Sequence, residues 1–208
     1  MSNEALAQIN PLAILKPTKP LRRYTLAEYL RREEQAEALH EYYNGFIIKR
    51  PIARTPHNTI CGNVATVLNN ALEANGLDEQ FTVMVSQQLV YLPELNLGLY
   101  PDALVVAEKP EHFDDNEVLL LNPILIVEVA SRSTRKYDRT VKFDEYKTAA
   151  SLREYVLIDQ KQCRIESRFR EEPNLWRETV ETDIQKSIFL KSIGCSIDLA
   201  RVYKKIVF

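Results

Sequence analysis

Two acids stand inside apolar runs of this sequence. Glu128 follows Ile124-Leu125-Ile126-Val127 and precedes Val129-Ala130, and Asp102 sits between Tyr100-Pro101 and Ala103-Leu104-Val105-Val106. Burying a carboxylate without partners costs several kcal/mol, comparable to the net stability of a whole domain. Neither acid has a basic neighbour in the chain, so two acids on two core strands suggest a shared cation. Mg²⁺ suits them, because it prefers hard oxygens and is held by one or two carboxylates plus water. The carbonyl of Val129 offers a third oxygen. The competing reading pairs each acid with an Arg or Lys from elsewhere in the core, which requires two separate compensations.

The segment after Glu128 bears on what such a metal would act upon. Ser131 to Lys147 holds Arg132, Arg135, Lys136, Arg139, Lys142 and Lys147 against Asp138, Asp144 and Glu145. In a chain of net charge −2 this is a local basic excess beside the candidate metal, which suits a phosphodiester. Asp138, Lys142 and Tyr146 share one face of a helix, so Lys142 could point back at the acids. There it would stabilise charge on a phosphate or help deprotonate an attacking water. The ordinary alternative is a surface Asp138–Lys142 pair contributing a few tenths of a kcal/mol. Glu41 is a weaker candidate, since an acid on a hairpin strand commonly faces solvent. His57, at a helix start, more often caps or packs than ligates. The three histidines are not spaced to pair, which argues against a His-based zinc site. The sequence has no Gly-rich phosphate loop and no G-x-S-x-G elbow.

Several elements must position these residues. Residues 1–20, with Pro11, Pro17 and Pro20, read as an arm. Thr25 and Glu28 form a capping box that opens a helix reaching about Gln35. Asn44-Gly45 between apolar runs predicts a hairpin with Glu41 on its first strand. Thr55 as cap and Pro56 at the first position open a second helix. Ile60, Val64, Val67, Leu68, Ala71 and Leu72 form its buried face, and Gly76 closes it. A long strand is expected over Phe81–Leu92 and another over Tyr100–Ala107. An acidic excursion follows over Glu108–Asn122. Residues 124–130 read as a central strand buried on both faces, and Lys136–Ala149 as a helix. Three strands follow at Glu154–Asp159, Cys163–Phe169 and Leu175–Val180, the last two antiparallel. The pattern is an α/β or α+β domain with a mixed sheet.

Composition sets the outer limits. A chain of 208 residues fits one domain over 21–208 after the arm. The net charge counts against simple nucleic-acid coating but not against an enzyme with a local basic strip. No apolar run approaches the roughly 20 residues of a membrane span, and no signal peptide is read. Three scattered cysteines, Cys61, Cys163 and Cys195, without metal-ligand spacing, suit reduced thiols in a cytoplasmic protein and read as small hydrophobes.

Together these residues form an ordered series. Glu41 stands before the Asn44-Gly45 turn and Pro56-His57 opens the next helix. Pro101-Asp102 is followed by Ile126-Val127-Glu128-Val129-Ala130-Ser131 and Ser133-Thr134. Asp138, Lys142 and Tyr146 come next, and then Glu154-Tyr155-Val156-Leu157-Ile158-Asp159. The series resembles the Uma family of putative restriction endonucleases, within the PD-(D/E)xK nuclease superfamily, over about residues 24–200. The resemblance implies a restriction-endonuclease-like central mixed sheet flanked by helices, with Asp102 and Glu128 on Mg²⁺ (or Mn²⁺) and Glu41 as outer acid. It implies hydrolysis of DNA, double-stranded, by a homodimer. The superfamily's usual lysine, two residues after the glutamate, is Ala130 in this chain, and Lys142 is the expected substitute. Two rival readings remain. One is a catalytically degenerate nuclease fold that binds DNA or protein. The other is a structural protein with salt-bridged core acids.

Overall fold

The computed structural model describes residues 22–85, 87–131 and 134–208. The arm expected over 1–20, and Arg132 and Ser133 of the basic segment, lie outside the described residues. The described chain starts with helix α1 (Leu26–Glu33), hairpin strands β1 (His40–Tyr43) and β2 (Phe46–Lys49), and helix α2 (Thr55–Ala74). Strands β3 (Phe81–Val85), β4 (Leu89–Leu92), β5 (Leu97–Leu99) and β6 (Ala103–Ala107) follow, then β7 (Leu119–Leu120) and β8 (Pro123–Ala130). Helix α3 spans residues 135–146, with a π turn at Asp138–Lys142 between two α-helical ends. Next come β9 (Glu154–Asp159), β10 (Ile165–Glu172), β11 (Leu175–Glu181), β12 (Ser187–Leu190), β13 (Cys195–Asp198) and the short helix α4 (Leu199–Val202).

The strands form a six-stranded sheet in the order β11-β10-β9-β8-β6-β3, a five-stranded sheet in the order β2-β1-β5-β4-β7, and the pair β12-β13. The six-stranded sheet is mixed: β8 runs parallel to β9 and antiparallel to β6. It is covered on both faces, as its run of aliphatics requires. Leu125, Val127 and Val129 pack with Ile60, Val64 and Leu68 of α2. Ile126 and Ala130 pack with Tyr43, Leu97 and Leu99 of the smaller sheet and with Phe143 and Tyr146 of α3. The strand's period of two therefore points Glu128 at β1 and α3, away from α2.

Local signals explain most boundaries. Thr25 and Glu28 form the expected capping box. Asn44 and Gly45 both take positive φ in the hairpin turn. Gly76, at φ +65°, follows the end of α2, where the Leu77 amide donates back to the Leu72 carbonyl. Arg54 rather than Thr55 is the N-cap of α2, without a side-chain cap bond, and Pro56 stands in the first turn. The single strand expected over 81–92 is two strands in different sheets. The chain leaves the large sheet at Val85 and enters the small one at Leu89. Both sheets bury into one core, so hydrophobicity continues across a break in pairing. The excursion over 108–122 holds a 3-10 turn at Phe113–Asp115 and β7.

Strand β1, which carries Glu41, is set against β5 through a close approach at Gly98. A Cβ there would lie 3.2 Å from Leu89 Cδ2 and 3.4 Å from Tyr42 Cβ. Gly98→Ala is expected to cost about 1–3 kcal/mol by overpacking, read as a lowered denaturation midpoint. An unchanged midpoint would show that β1 can shift freely.

Candidate functional site

Four elements deliver the predicted residues to one end of the large sheet. Ala103 pairs with Val127 in the antiparallel β6–β8 ladder, so the next step along it sets Asp102 opposite Glu128. Glu41 is supplied by β1 and Lys142 by the π turn of α3. All four are buried, at 4, 3, 9 and 5% exposure for Asp102, Glu128, Glu41 and Lys142. Glu41 does not take the solvent-facing position common on a hairpin strand, because β1 lies between β2 and β5 and its inward side faces α3.

Lys142 joins two of the acids. Its Nζ lies 2.8 Å from Glu128 Oε1 and 3.3 Å from Glu41 Oε1. The Tyr146 hydroxyl, one turn along the same helix, donates to Glu128 Oε1 at 3.3 Å. The surface Asp138–Lys142 pair is overturned, because the π turn buries Lys142 against the sheet. A π turn inside an α-helix is a feature frequent at functional positions. From Glu41 the contacts continue outward. The Tyr43 hydroxyl donates to Glu41 Oε2 at 3.4 Å, Tyr43 and Tyr137 share a hydroxyl–hydroxyl hydrogen bond, and Tyr137 donates to Glu145 at 3.3 Å.

Asp102 is held separately. The Val129 amide donates to its Oδ2 at 2.8 Å, and Arg50 Nη2 meets Oδ1 at 3.2 Å. His57 Nε2 lies 3.1 Å from Oδ2. In an extended strand the N–H and C=O of one residue leave on the same side, so the Val129 carbonyl is directed toward this end of the site. Arg50 and His57 are the residues that sequence reasoning missed. Arg50 follows the hairpin with no pattern around it. His57 carried a usable signal, its place beside Pro56 at a helix start. Each acid therefore has a basic partner, Asp102 with Arg50 and Glu128 with Lys142, as the salt-bridge reading requires.

The charges do not balance, however. Glu41, Asp102, Glu128, Asp138 and Glu145 are all electrostatically coupled to Lys142, Arg50 or each other. Among the described residues, five carboxylates thus face three cations, Lys142, Arg50 and protonated His57. Asp102 is the acid that the cations satisfy. Burial alone would raise its carboxyl, but the His57 hydrogen bond and the charges of His57, Lys142 and Arg50 hold it below the ordinary value. Burial conversely disfavours charge on His57, and Asp102 outweighs it and raises the imidazole. One lysine cannot neutralise the remaining acids. Burial, with Asp102 and Asp138 nearby, pushes Glu128 up to about 8 despite Lys142. Burial and neighbouring acids push Asp138 up to about 6 and Glu145 up to about 8. Lys142 itself, although buried, is held firmly charged by Glu128, Glu41 and Asp138.

A pH dependence follows. Glu128 keeps its proton in the folded state from its ordinary value of 4.5 up to about 8. Its contribution to stability is therefore present below the lower value and lost as pH rises through the window. Glu145 and Asp138 act in the same direction, and so does the raised imidazole of His57. Chelator-treated protein is expected to melt at progressively lower temperature as pH rises across this window, and Glu128→Gln should flatten the slope. A wild-type melting temperature constant across the window would contradict this charge imbalance.

The basic excess downstream is largely absorbed by the fold. Arg135 pairs with Asp159 at 3.0 Å, Arg139 with Glu166 at 3.1 Å, and Lys147 with Asp144. Lys136 is exposed, as are Lys49 and Arg54, which flank Arg50 in the chain. The expected basic strip on α3 is thus mostly internal ion pairs. The cysteine reading also changes at one position. Cys61 Sγ lies 3.4 Å from His57 Nδ1, and His57, Cys61 and Asp102 have ligand atoms all within 4.8 Å of one another.

A central mixed sheet with α2 on one face and α3 on the other is a restriction-endonuclease-like fold. The chain matches the Uma2 family, described as putative restriction endonuclease, over residues 26–198, and it belongs to that family. Two uncharacterised proteins of Synechocystis sp. are similar to it. One is 39% identical over 68% of this chain and 78% of its own length, and the other 25% identical over 92% and 97%. A crystal structure from Anabaena variabilis, described as a putative nuclease, shares the fold. Its TM-score is 0.69 at 16% identity, covering 88% of this chain and 99% of that one. No helix of the described residues is long and apolar enough to cross a membrane.

Proposed function

We propose that the chain is a divalent-metal-dependent endonuclease that hydrolyses phosphodiester bonds of double-stranded DNA. The observation that supports it most is the meeting of Glu41, Asp102, Glu128 and Lys142 at one end of a nuclease-like sheet. Asp102, Glu128 and the Val129 carbonyl would hold the metal. Their oxygens are hard donors, and the surplus of buried carboxylates over cations is the electrostatic environment a divalent ion relieves. The chemistry that Mg²⁺ or Mn²⁺ would supply there is a lowered pKa for a bound water and charge neutralisation at a phosphate.

The chain's own groups do the rest. Lys142 takes the place of the lysine absent at Ala130. Residue 130 lies on the same face of β8 as Glu128, but it is packed among Phe143, Tyr146 and Leu157. Lys142 reaches that face from α3 instead. Its ammonium, shared between Glu128 and Glu41, stabilises negative charge on the scissile phosphate. Glu41 completes the acidic shell and orients water. Lys49 and Arg54, exposed on either side of Arg50, offer contacts to the DNA backbone in place of the neutralised α3 arginines. A homodimer would place two such sites on opposite strands.

A second reading, a catalytically degenerate fold that binds without cleaving, is favoured by one observation: both acids already have basic partners. Calorimetry with Mg²⁺ and plasmid cleavage, run on one preparation, separate the two. The endonuclease reading expects metal binding and conversion of supercoiled plasmid to nicked or linear forms. Metal binding without cleavage of any nucleic acid would favour the degenerate fold. Absence of metal binding would leave the acids as structural ion pairs.

A further inference from the structure

Helix α2 brings a second kind of ligand to the site. His57 and Cys61 are four residues apart on its first turns, so their side chains rise from the same face. Ile60 and Val64, fully buried under the large sheet, fix that face against β6 and β8. The His57 ring already bridges the two neighbours, with Nε2 3.1 Å from Asp102 Oδ2 and Nδ1 3.4 Å from Cys61 Sγ. One ligand atom from each of His57, Cys61 and Asp102 can be chosen so that all three lie within 4.8 Å of one another.

Thiolate, imidazole and carboxylate together are not a set for Mg²⁺, which takes oxygen donors in octahedral geometry. They are a set for a borderline or soft divalent ion. Zn²⁺ accepts all three, at about 2.3 Å to sulfur and about 2.0–2.2 Å to nitrogen and oxygen, and three protein ligands leave its fourth tetrahedral position open. Those bond lengths put tetrahedral donors roughly 3.3–3.8 Å apart, so donors now within 4.8 Å of one another would close by about 1–1.5 Å, with the His57 ring turning one nitrogen toward the ion. Asp102 is already oriented by the Val129 amide on Oδ2 and by Arg50 on Oδ1, the kind of support that outer hydrogen bonds give a metal-binding carboxylate. Cys61 and a protonated His57 would each give up a proton to the incoming ion, so the buried site would gain no net charge.

We propose that His57, Cys61 and Asp102 form a site for Zn²⁺ or a similar thiophilic divalent ion, and that filling it withdraws Asp102 from the hard-metal position. One carboxylate is common to both sites. A zinc ion held by Cys61 and His57 fixes Asp102 toward α2, and the Mg²⁺ position loses a ligand. Zinc is then an inhibitor that acts from the edge of the site. The inhibitory part of this proposal rests on the endonuclease reading, whereas the binding part does not.

Co²⁺ is the probe that separates them. The full-length, chelator-treated protein, kept reduced with a phosphine, is titrated with Co²⁺ and followed by absorption. The wild type should develop a thiolate-to-cobalt charge-transfer band in the near ultraviolet together with tetrahedral d–d bands in the visible. Cys61→Ser should lose the charge-transfer band, and Cys163→Ser and Cys195→Ser should keep it. No such band in the wild type, or a band that survives in Cys61→Ser, overturns the site, whether or not the protein cleaves DNA. In Mg²⁺-dependent plasmid cleavage, Cys61→Ser should match wild-type activity without zinc and need at least about tenfold more Zn²⁺ for half inhibition. Equal zinc sensitivity of the two proteins would overturn the shared-ligand inhibition while leaving a positive spectrum, and the endonuclease reading, standing.

Discussion

Lys142→Met is expected to remove about 3–5 kcal/mol of stability from the metal-free protein and to abolish cleavage. The stability loss arises because Lys142 is buried with Glu128 at 2.8 Å and Glu41 at 3.3 Å. Taking the lysine away leaves Glu41 and Glu128 either charged without a partner or forced to hold a proton, which is far costlier than losing an exposed pair. Adding Glu128→Gln to Lys142→Met should restore part of the stability, because the nearer of the two acids that needed the lysine is gone. It should restore none of the activity. Denaturant titration of the two single variants and the double variant measures the coupling, and plasmid cleavage measures the chemistry. A cost below about 1 kcal/mol for Lys142→Met, the range of a solvent-exposed pair, would contradict the buried arrangement. Rescue of cleavage in the double variant would remove Lys142 from the chemistry.

Asp102→Asn is expected to lower Mg²⁺-dependent cleavage by at least about a thousandfold, equivalent to about 4 kcal/mol of transition-state stabilisation. Asparagine can still accept the Val129 amide bond, so the end of β6 stays in register. It loses the charge that meets Arg50 and His57 and, on the proposed reading, the metal. Calorimetry should show Mg²⁺ binding weakened along with cleavage. The imidazole of His57, now raised by Asp102, should fall toward or below its ordinary value, because burial then acts on it unopposed. A variant that binds Mg²⁺ as wild type does would place the metal elsewhere.

The chain shows these features unequally. The apolar run at 124–130 reveals both the central strand and the problem posed by Glu128, since an acid there must be compensated. The Asn44-Gly45 turn, the Thr25 capping box and Gly76 mark boundaries by local chemistry, and the structure agrees at each. Pairing partners are less visible. Residues 81–92 read as one strand because two sheets share a core, and β5, β12, β13 and α4 were too short or too weakly periodic to stand out. Within the site, the ordered series of acids and Lys142 was legible because each falls on a predicted element. Arg50 was not, because a lone arginine after a hairpin has no period or spacing to mark it. His57 and Cys61 were considered singly, and their four-residue spacing acquires meaning only when a strand end brings Asp102 between them. The arginines of α3 show the opposite error. A local excess of positive charge in the chain became internal ion pairs, because Asp159, Glu166 and Glu178, distant in sequence, fold against it.

On the proposed reading, Asp102 and Glu128 hold a metal that the chain uses to cut DNA. Plasmid cleavage with Mg²⁺ or Mn²⁺ by wild type and Asp102→Ala, purified in parallel and shown to be folded, tests it most directly. The expected result is metal-dependent nicking or linearisation by the wild type and none above background by the variant. Equal nicking by both proteins would contradict the assignment.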